Sequence, residues 1–319
     1  MTGYGPDLLD RLTTSVVGRR RELESIVAAL AAGRHLLLEG PPGTGKSTVL
    51  RAVAEGSGSG FEFVEGNAEL TPARLVGAFD PAVVLSDGYS PDAFIDGPLV
   101  TAMRDGSLLY VEELNRVPEE TLNVLITVMS EAEVHVPRLG RVVATDGFRL
   151  VAAMNPFDAV GTARIAAAVY DRCCRLAMGY QDADDEVAIV GRRTDGAADV
   201  LGGRGTRAAV SMVRDSRTHP DLRSGSSVRG AIDVVMVARE LASLRGREVM
   251  DPSVTLDAAQ LALSGRIRLR EGCGRGVEDV VAELWQRHFG PSSSDDAVSG
   301  PDRADPDGAD QDGAQRGKA

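Results

Sequence analysis

The sequence predicts an α/β fold in which a parallel five-stranded sheet is covered by helices, followed by a helical domain and a disordered acidic tail. Three observations carry that expectation. Short apolar runs alternate with amphipathic stretches over roughly the first 180 residues, the pattern of strands buried on both faces. A glycine-rich segment, Gly40 to Ser47, lies between one such run and a helical stretch. From about Gln181 the strand signals stop, and helical patterns dominate to Phe289.

In chain order, Arg20 to Ala32 reads as a helix, His35-Leu-Leu-Leu-Glu39 as a buried strand and Lys46 to Glu55 as a second helix. Phe61 to Glu65 is a strand and Pro98 to Asp105 a helix, and Leu108 to Glu112 is an apolar strand that ends in acid. Pro118 to Ala132 places Leu122, Leu125, Ile126 and Met129 on one helix face. Phe148 to Ala153 forms the fourth strand and Arg175 to Met178 a short fifth. Two inserts interrupt the alternation: Pro81 to Asp96, rich in turn residues, and Val134 to Ala144, a hairpin turning at Leu139-Gly140. The expected units are residues 1–180, 181–289 and a tail at 290–319, whose seven Asp against three basic residues leave little apolar surface to offset ordering entropy.

Composition narrows the function. The 319 residues are ample for a buried core, 43% are hydrophobic and only 4% aromatic, and the net charge is -12. A protein that coats nucleic acid needs the opposite charge balance, so nucleic acid is not the expected partner. Three cysteines (Cys173, Cys174 and Cys273) and four dispersed histidines form neither a disulfide framework nor a metal-ligand pattern. No apolar run reaches the length of a spanning helix and the first residues do not resemble a signal peptide, so the expectation is a cytoplasmic protein without membrane insertion. Of 35 basic residues only Lys46 and Lys318 are lysines. A codon bias toward arginine explains most positions and makes Lys46 conspicuous.

Gly40-Pro-Pro-Gly-Thr-Gly-Lys-Ser47 fits G-x-x-x-x-G-K-[ST] in the required strand-to-helix context. Its glycines let backbone N–H groups turn inward on phosphates, and the helix N-terminus adds positive potential. Pro42, Gly43, Thr44, Gly45, Lys46, Ser47 and Thr48 are the expected nucleotide contacts, with Lys46 reaching the β- and γ-phosphates and Ser47 ligating Mg2+. An ammonium suits that position where a planar guanidinium would not fit. Hydrolysis also needs acids at a neighbouring strand tip. Leu108-Leu-Tyr-Val-Glu112-Glu113 supplies Glu112 for the metal and Glu113 as the base, and Asn155, at the next strand end, is placed to orient water or contact the γ-phosphate.

In order, GPPGTGKS, LLYVEELNRVP, VAAMNPFD, AVYDRCCRL and GSSVRGAID resemble an AAA+ ATPase of the MoxR branch, over about residues 14 to 289. The resemblance implies an αβα nucleotide domain, a helical lid and a ring of six subunits with ATP between neighbours. It also implies that Val16-Val17-Gly18-Arg19 lines the adenine pocket, with Val17 and Gly18 as nucleotide contacts. By the same resemblance Arg172 matches the arginine finger offered to the next subunit and Arg229 the second sensor on the lid helix, and Arg116 is a further interface candidate. Arg164 and Arg175 lie near enough to Arg172 to compete for the finger role. Where the family has Asp, this chain has Glu112, one methylene longer. The implied activity is ATP-driven remodelling of a protein client together with a von Willebrand factor A domain partner, in complex assembly or metal-cofactor insertion. The alternatives are a chelatase-like ATPase subunit and a nucleotide-dependent scaffold with weak hydrolysis. DNA remodelling is disfavoured by the charge.

Overall fold

The computed structural model describes residues 3–156, 167–195 and 197–290. Beyond Gly290 the expected tail lies outside the described residues, as does Arg164. The main sheet is built from β1 (His35–Glu39), β2 (Phe61–Glu65), β3 (Leu108–Glu112), β4 (Arg149–Met154) and β5 (Cys173–Ala177). Every pairing is parallel, in the order β2-β3-β4-β1-β5. The fifth strand begins two residues before the expected Arg175, because Cys173 pairs with His35 and Leu37 pairs with Arg175.

The apolar runs of β1 are explained by two-sided burial. Leu37 packs with Leu99 and Leu125 on one face, whereas Leu36 and Leu38 pack with Leu23, Ile26 and Leu50 on the other. Each fully buried leucine contributes about 1.5–3 kcal/mol of transfer free energy. A helix that the sequence pattern did not announce, Pro6–Ser15, buries Leu8 and Leu12 in the second cluster. Since β1, β3 and β4 are adjacent and parallel, their carboxyl ends share one edge of the sheet. That edge therefore receives the glycine-rich loop, the two acids and Asn155.

The first insert is more regular than its turn-rich composition suggested. Gly77–Phe79 pairs antiparallel with Phe94–Asp96, and Pro81–Asp87 between them is helical. Asp80 caps that helix by accepting from the Ala82 N–H at 2.8 Å, and Pro81 occupies its first turn. The second insert is the expected hairpin, Glu133–Val136 with Gly140–Val143, but its turn lies at residues 137–139 with Arg138 at φ 70°. The Arg138 guanidinium sits 3.8 Å from the centre of the Tyr89 ring, and Tyr89 packs edge-on against Phe79. This contact joins the two inserts.

The helices that follow are Ala183–Arg193, Ala197–Ser216, Val228–Arg245, Pro252–Leu263 and Val277–Phe289, the second interrupted at Gly202. They enclose a separate core including Val234, Val235, Leu263 and Leu284. Trp285 donates to Thr255 Oγ1 at 3.1 Å. One departure from the sequence expectation is a short antiparallel pair, Leu222–Ser224 with Arg268–Leu269, inside this helical region. Among the described residues no helix is long and apolar enough to cross a membrane.

His35 gives the fold a pH dependence. Its Nδ1 accepts from the Leu150 N–H at 2.9 Å, and burial, reinforced by Arg149, lowers its pKa to about 4. Because the folded value lies below the unfolded one of about 6.5, the unfolded chain binds the proton first as pH falls. The contribution, about 3 kcal/mol at most, is complete above pH ~6.5 and is lost on acidification toward pH 4. Urea midpoints at pH 7 and pH 4.5 should therefore differ more in the wild type than in His35→Gln. Equal pH sensitivity in the two chains would contradict the assignment.

Candidate active site

The loop after β1 is anchored at its start, where the Gly40 N–H donates to the Met154 carbonyl at 3.1 Å. Gly43 and Gly45 hold φ of 76° and 86°, a region costly for a side chain. At Gly43 an added Cβ would also fall 2.3 Å from Ser227 Oγ, so a glycine is required both by the turn and by the approach of the lid. The helix Lys46–Ser57 then begins, and Lys46 is only 8% exposed. Its Nζ donates to the Gly40 and Pro41 carbonyls, each at 2.9 Å. Burial holds the ammonium below its usual pKa, with Glu112 opposing and Arg229 adding to the shift.

Ser47 and the acidic strand end meet. Ser47 Oγ donates to Glu112 Oε1 at 3.0 Å and lies 3.4 Å from the Tyr110 hydroxyl. The longer Glu112 carboxylate therefore spans the gap to the loop. Glu113 follows in the left-handed region, at φ 53°, which turns its side chain off the strand path and into an ion pair with Arg116 at 2.8 Å. Asn155 directly follows Met154, whose carbonyl anchors the loop, so it stands at the same sheet edge. The donor set fits Mg2+: a hydroxyl and a carboxylate within hydrogen-bond distance, beside a phosphate cradle, suit a hard cation that keeps several waters.

A cleft of about 250 Å³ opens beside the loop. It is lined by Val17, Gly43, Thr44, Gly45 and Thr48 from one side and by Ile189, Arg229 and Ile232 from the other. Of the expected nucleotide contacts, Gly18, Pro42, Lys46 and Ser47 are not among its lining residues. Gly18 instead abuts the Asp185 carboxylate, which would lie 1.8 Å from an added Cβ. Arg229 is the second residue of the helix Val228–Arg245, so the start of that helix faces the loop.

Arg172 ends the helix Ala167–Arg172 and is about a third exposed; its Nε donates to Ser130 Oγ and its Nη1 to the Ala168 carbonyl at 3.0 Å. It therefore stands away from the cleft of its own chain. Arg175 is engaged differently, bound to Glu39 Oε2 through Nε at 2.6 Å and Nη2 at 2.5 Å.

From the sequence, Arg19 is placed only within the segment expected to line the adenine pocket. The structure gives it a defined position, 4% exposed, donating from Nη2 to the Thr44 carbonyl at 3.0 Å and the Gly179 carbonyl at 2.6 Å, and pairing through Nη1 with Glu22 at 2.7 Å. Such three-way bridging uses the planar fork of arginine. Gln181 donates to the Val17 carbonyl, and Arg214 to the Gln181 carbonyl at 2.8 Å, a polar path between segment 16–19 and the helical region. Apart from the local Arg19–Glu22 pair, these contacts were invisible in sequence because each joins residues 25 or more positions apart.

A phosphate loop after the central strand, acids at the tip of a strand one removed, and a helical lid closing over the cleft define a P-loop nucleotide-binding protein. Residues 35–173 match the AAA domain of the dynein-related subfamily and residues 214–284 match an AAA lid domain. The chain belongs to the AAA+ ATPases. It is 27% identical over 300 residues to the gas vesicle ATPase GvpN1 of Halobacterium salinarum, covering 88% of this chain and 84% of that one. It is 26% identical over 303 residues to the uncharacterized protein YeaC of Bacillus subtilis, covering 86% and 91% of the two chains. In fold it resembles a proline-to-glycine mutant of RuvB from Thermotoga maritima, with a TM-score of 0.51 at 16% identity, over 77% of this chain and 70% of that one.

Proposed function

We propose that this ATPase is a MoxR-type remodelling enzyme that assembles as a ring of six subunits and works on a protein client. The cleft carries the proposal, because the nucleotide loop and the lid line it jointly, so a change at the phosphates alters the seating of Ser227 and Arg229. In this reading residues 1–180 hold ATP, residues 181–289 form the moving lid, and Val17, Gly18 and the loop residues Pro42 to Thr48 cradle the nucleotide. Ser47 and Glu112 would hold Mg2+, which supplies charge neutralisation at the phosphates. Glu113 accepts the proton of the attacking water once it parts from Arg116, and Asn155 orients that water. Lys46 exchanges its two loop carbonyls for phosphate oxygens.

Arg172 is the arginine finger in this proposal. Arg175, although half exposed, gives Nε and Nη2 to the buried Glu39 carboxylate of its own chain, whereas Arg172 is held by a hydroxyl, a backbone carbonyl and the exposed Asp171 carboxylate at 3.7 Å, partners that an incoming phosphate can displace. The joined inserts at 77–96 and 133–143 are the elements through which lid movement reaches the client. A von Willebrand factor A domain protein fits as client or adaptor on the resemblance to the MoxR branch, with complex assembly or metal-cofactor insertion as the process. The Ser47–Glu112 contact favours hydrolysis over a purely scaffolding role, since the extra methylene does not withdraw the carboxylate from the loop.

Arg229→Ala tests the lid. ATP affinity should stay within a few-fold of wild type while turnover falls on the order of 10²-fold, the cost of removing one charge-stabilising donor from developing charge. Steady-state phosphate release with a parallel binding titration reads both quantities. Unchanged turnover would remove the lid arginine from the mechanism.

A further inference from the structure

Glu39 is the last residue of β1 and directly precedes the phosphate loop, yet its side chain turns away from the cleft. It is 3% exposed, and both carboxylate oxygens are engaged. Oε1 accepts from the Tyr170 hydroxyl at 2.8 Å, and Oε2 from Arg175 at 2.6 Å. Its own carbonyl accepts from the Met178 N–H at 2.7 Å. Tyr170 belongs to the six-residue helix that ends in Arg172, and Arg175 to the edge strand that follows.

An ion pair between a buried carboxylate and a half-exposed arginine adds little to a fold, because desolvation of the carboxylate offsets much of the attraction and solvent screens the rest. What such a pair does supply is a fixed direction, since each oxygen has a single geometric partner here. The neighbouring carbonyls of Gly40 and Pro41 are the ones that hold Lys46. When Lys46 turns to a phosphate, the Gly40 carbonyl loses this donor and Pro41 keeps only the Thr44 hydroxyl, and the residue adjoining Gly40 is Glu39.

We infer that Glu39 is a positioning residue that couples nucleotide occupancy of one subunit to the helix bearing Arg172. Through Tyr170 and Arg175 it converts a shift at the base of the loop into a shift of residues 167–172, so the arginine offered to the next site is set by the state of the site behind it. The inference rests on the nucleotide and finger roles proposed above, and it adds the link between them.

Hydrogen–deuterium exchange of the full chain, with and without ATP and Mg2+, tests it. In the wild type ATP should slow exchange both in residues 40–57 and in residues 167–172. Glu39→Gln should keep the first protection and lose more than half of the second. Arg175→Ala should behave like Glu39→Gln, while Arg175→Lys, which preserves the charge, should recover part of the response. The quantity read is the ATP-dependent difference, which simple loosening of the helix in both states would leave unchanged. Equal ATP-dependent protection of 167–172 in the wild type, Glu39→Gln and Arg175→Ala overturns the inference. So does protection of 40–57 in the wild type with none at 167–172. Absence of protection at 40–57 in the wild type, or its persistence in Lys46→Ala, instead overturns the nucleotide-site reading itself. Arg175 is half exposed, so its variants keep the test decisive if Glu39→Gln folds poorly.

Discussion

Lys46→Ala is expected to weaken ATP binding severely, raising Kd by about a hundredfold, the effect of losing a hydrogen bond to a charged group worth up to about 3 kcal/mol. The substitution also changes the empty loop. Lys46 is nearly buried and spans the loop from its helix to the Gly40 and Pro41 carbonyls, so alanine removes a donor from each and leaves Pro41 with the Thr44 hydroxyl. Lys46→Arg should not rescue binding, because a planar fork needs more room than a compact ammonium and cannot make the same paired contacts. Titration with a fluorescent ATP analogue reads both variants. An affinity within threefold of wild type for Lys46→Ala would remove the loop from nucleotide binding.

Glu113→Gln should separate binding from turnover. The amide keeps the size of the side chain and its capacity to accept a hydrogen bond from Arg116, so the positive-φ turn at 113 and ATP affinity should persist. It cannot take a proton from water, and loss of a general base costs about 10²–10⁴-fold in rate. Phosphate release should fall by that factor while Kd for ATP changes little. Turnover equal to wild type would assign the base elsewhere. The same variant, held with ATP bound, serves as a trap for the client: affinity purification followed by mass spectrometry should recover a protein with a von Willebrand factor A domain, and recovery of a large chelatase subunit in its place would favour the chelatase-like alternative.

Much of the fold was legible because its signals are local. The three central strands announce themselves as apolar runs, since burial on both sides of a parallel sheet leaves a simple pattern, and the helices at 20–31 and 119–131 as periodic faces; the edge strands β2 and β5, largely unburied, give a weaker signal. The pairing of Ser47 with Glu112 followed from motif order. Other features were not legible. The helix Pro6–Ser15 has only two buried leucines, Leu8 and Leu12, too few to separate it from a polar leader by inspection. The helix Pro81–Asp87 is hidden among turn residues that turned out to be its caps. Glu39 looked like a strand terminus, and its partners stand more than 130 positions away, where no periodicity reaches. The one available signal was a charge closing an otherwise apolar run immediately before the loop.

The scarcity of lysine has a consequence for proteolysis. A protease that cuts only after lysine finds two sites in the whole sequence, Lys46 and Lys318. The first is sealed at the start of a helix beneath the loop carbonyls, so cleavage there must wait for a local opening of the loop. Digestion at that bond is thus a clock for the opening of a single element, undiluted by cuts elsewhere in the fold. Ligands that grip the loop should slow it, and acylating reagents that modify amines should silence it.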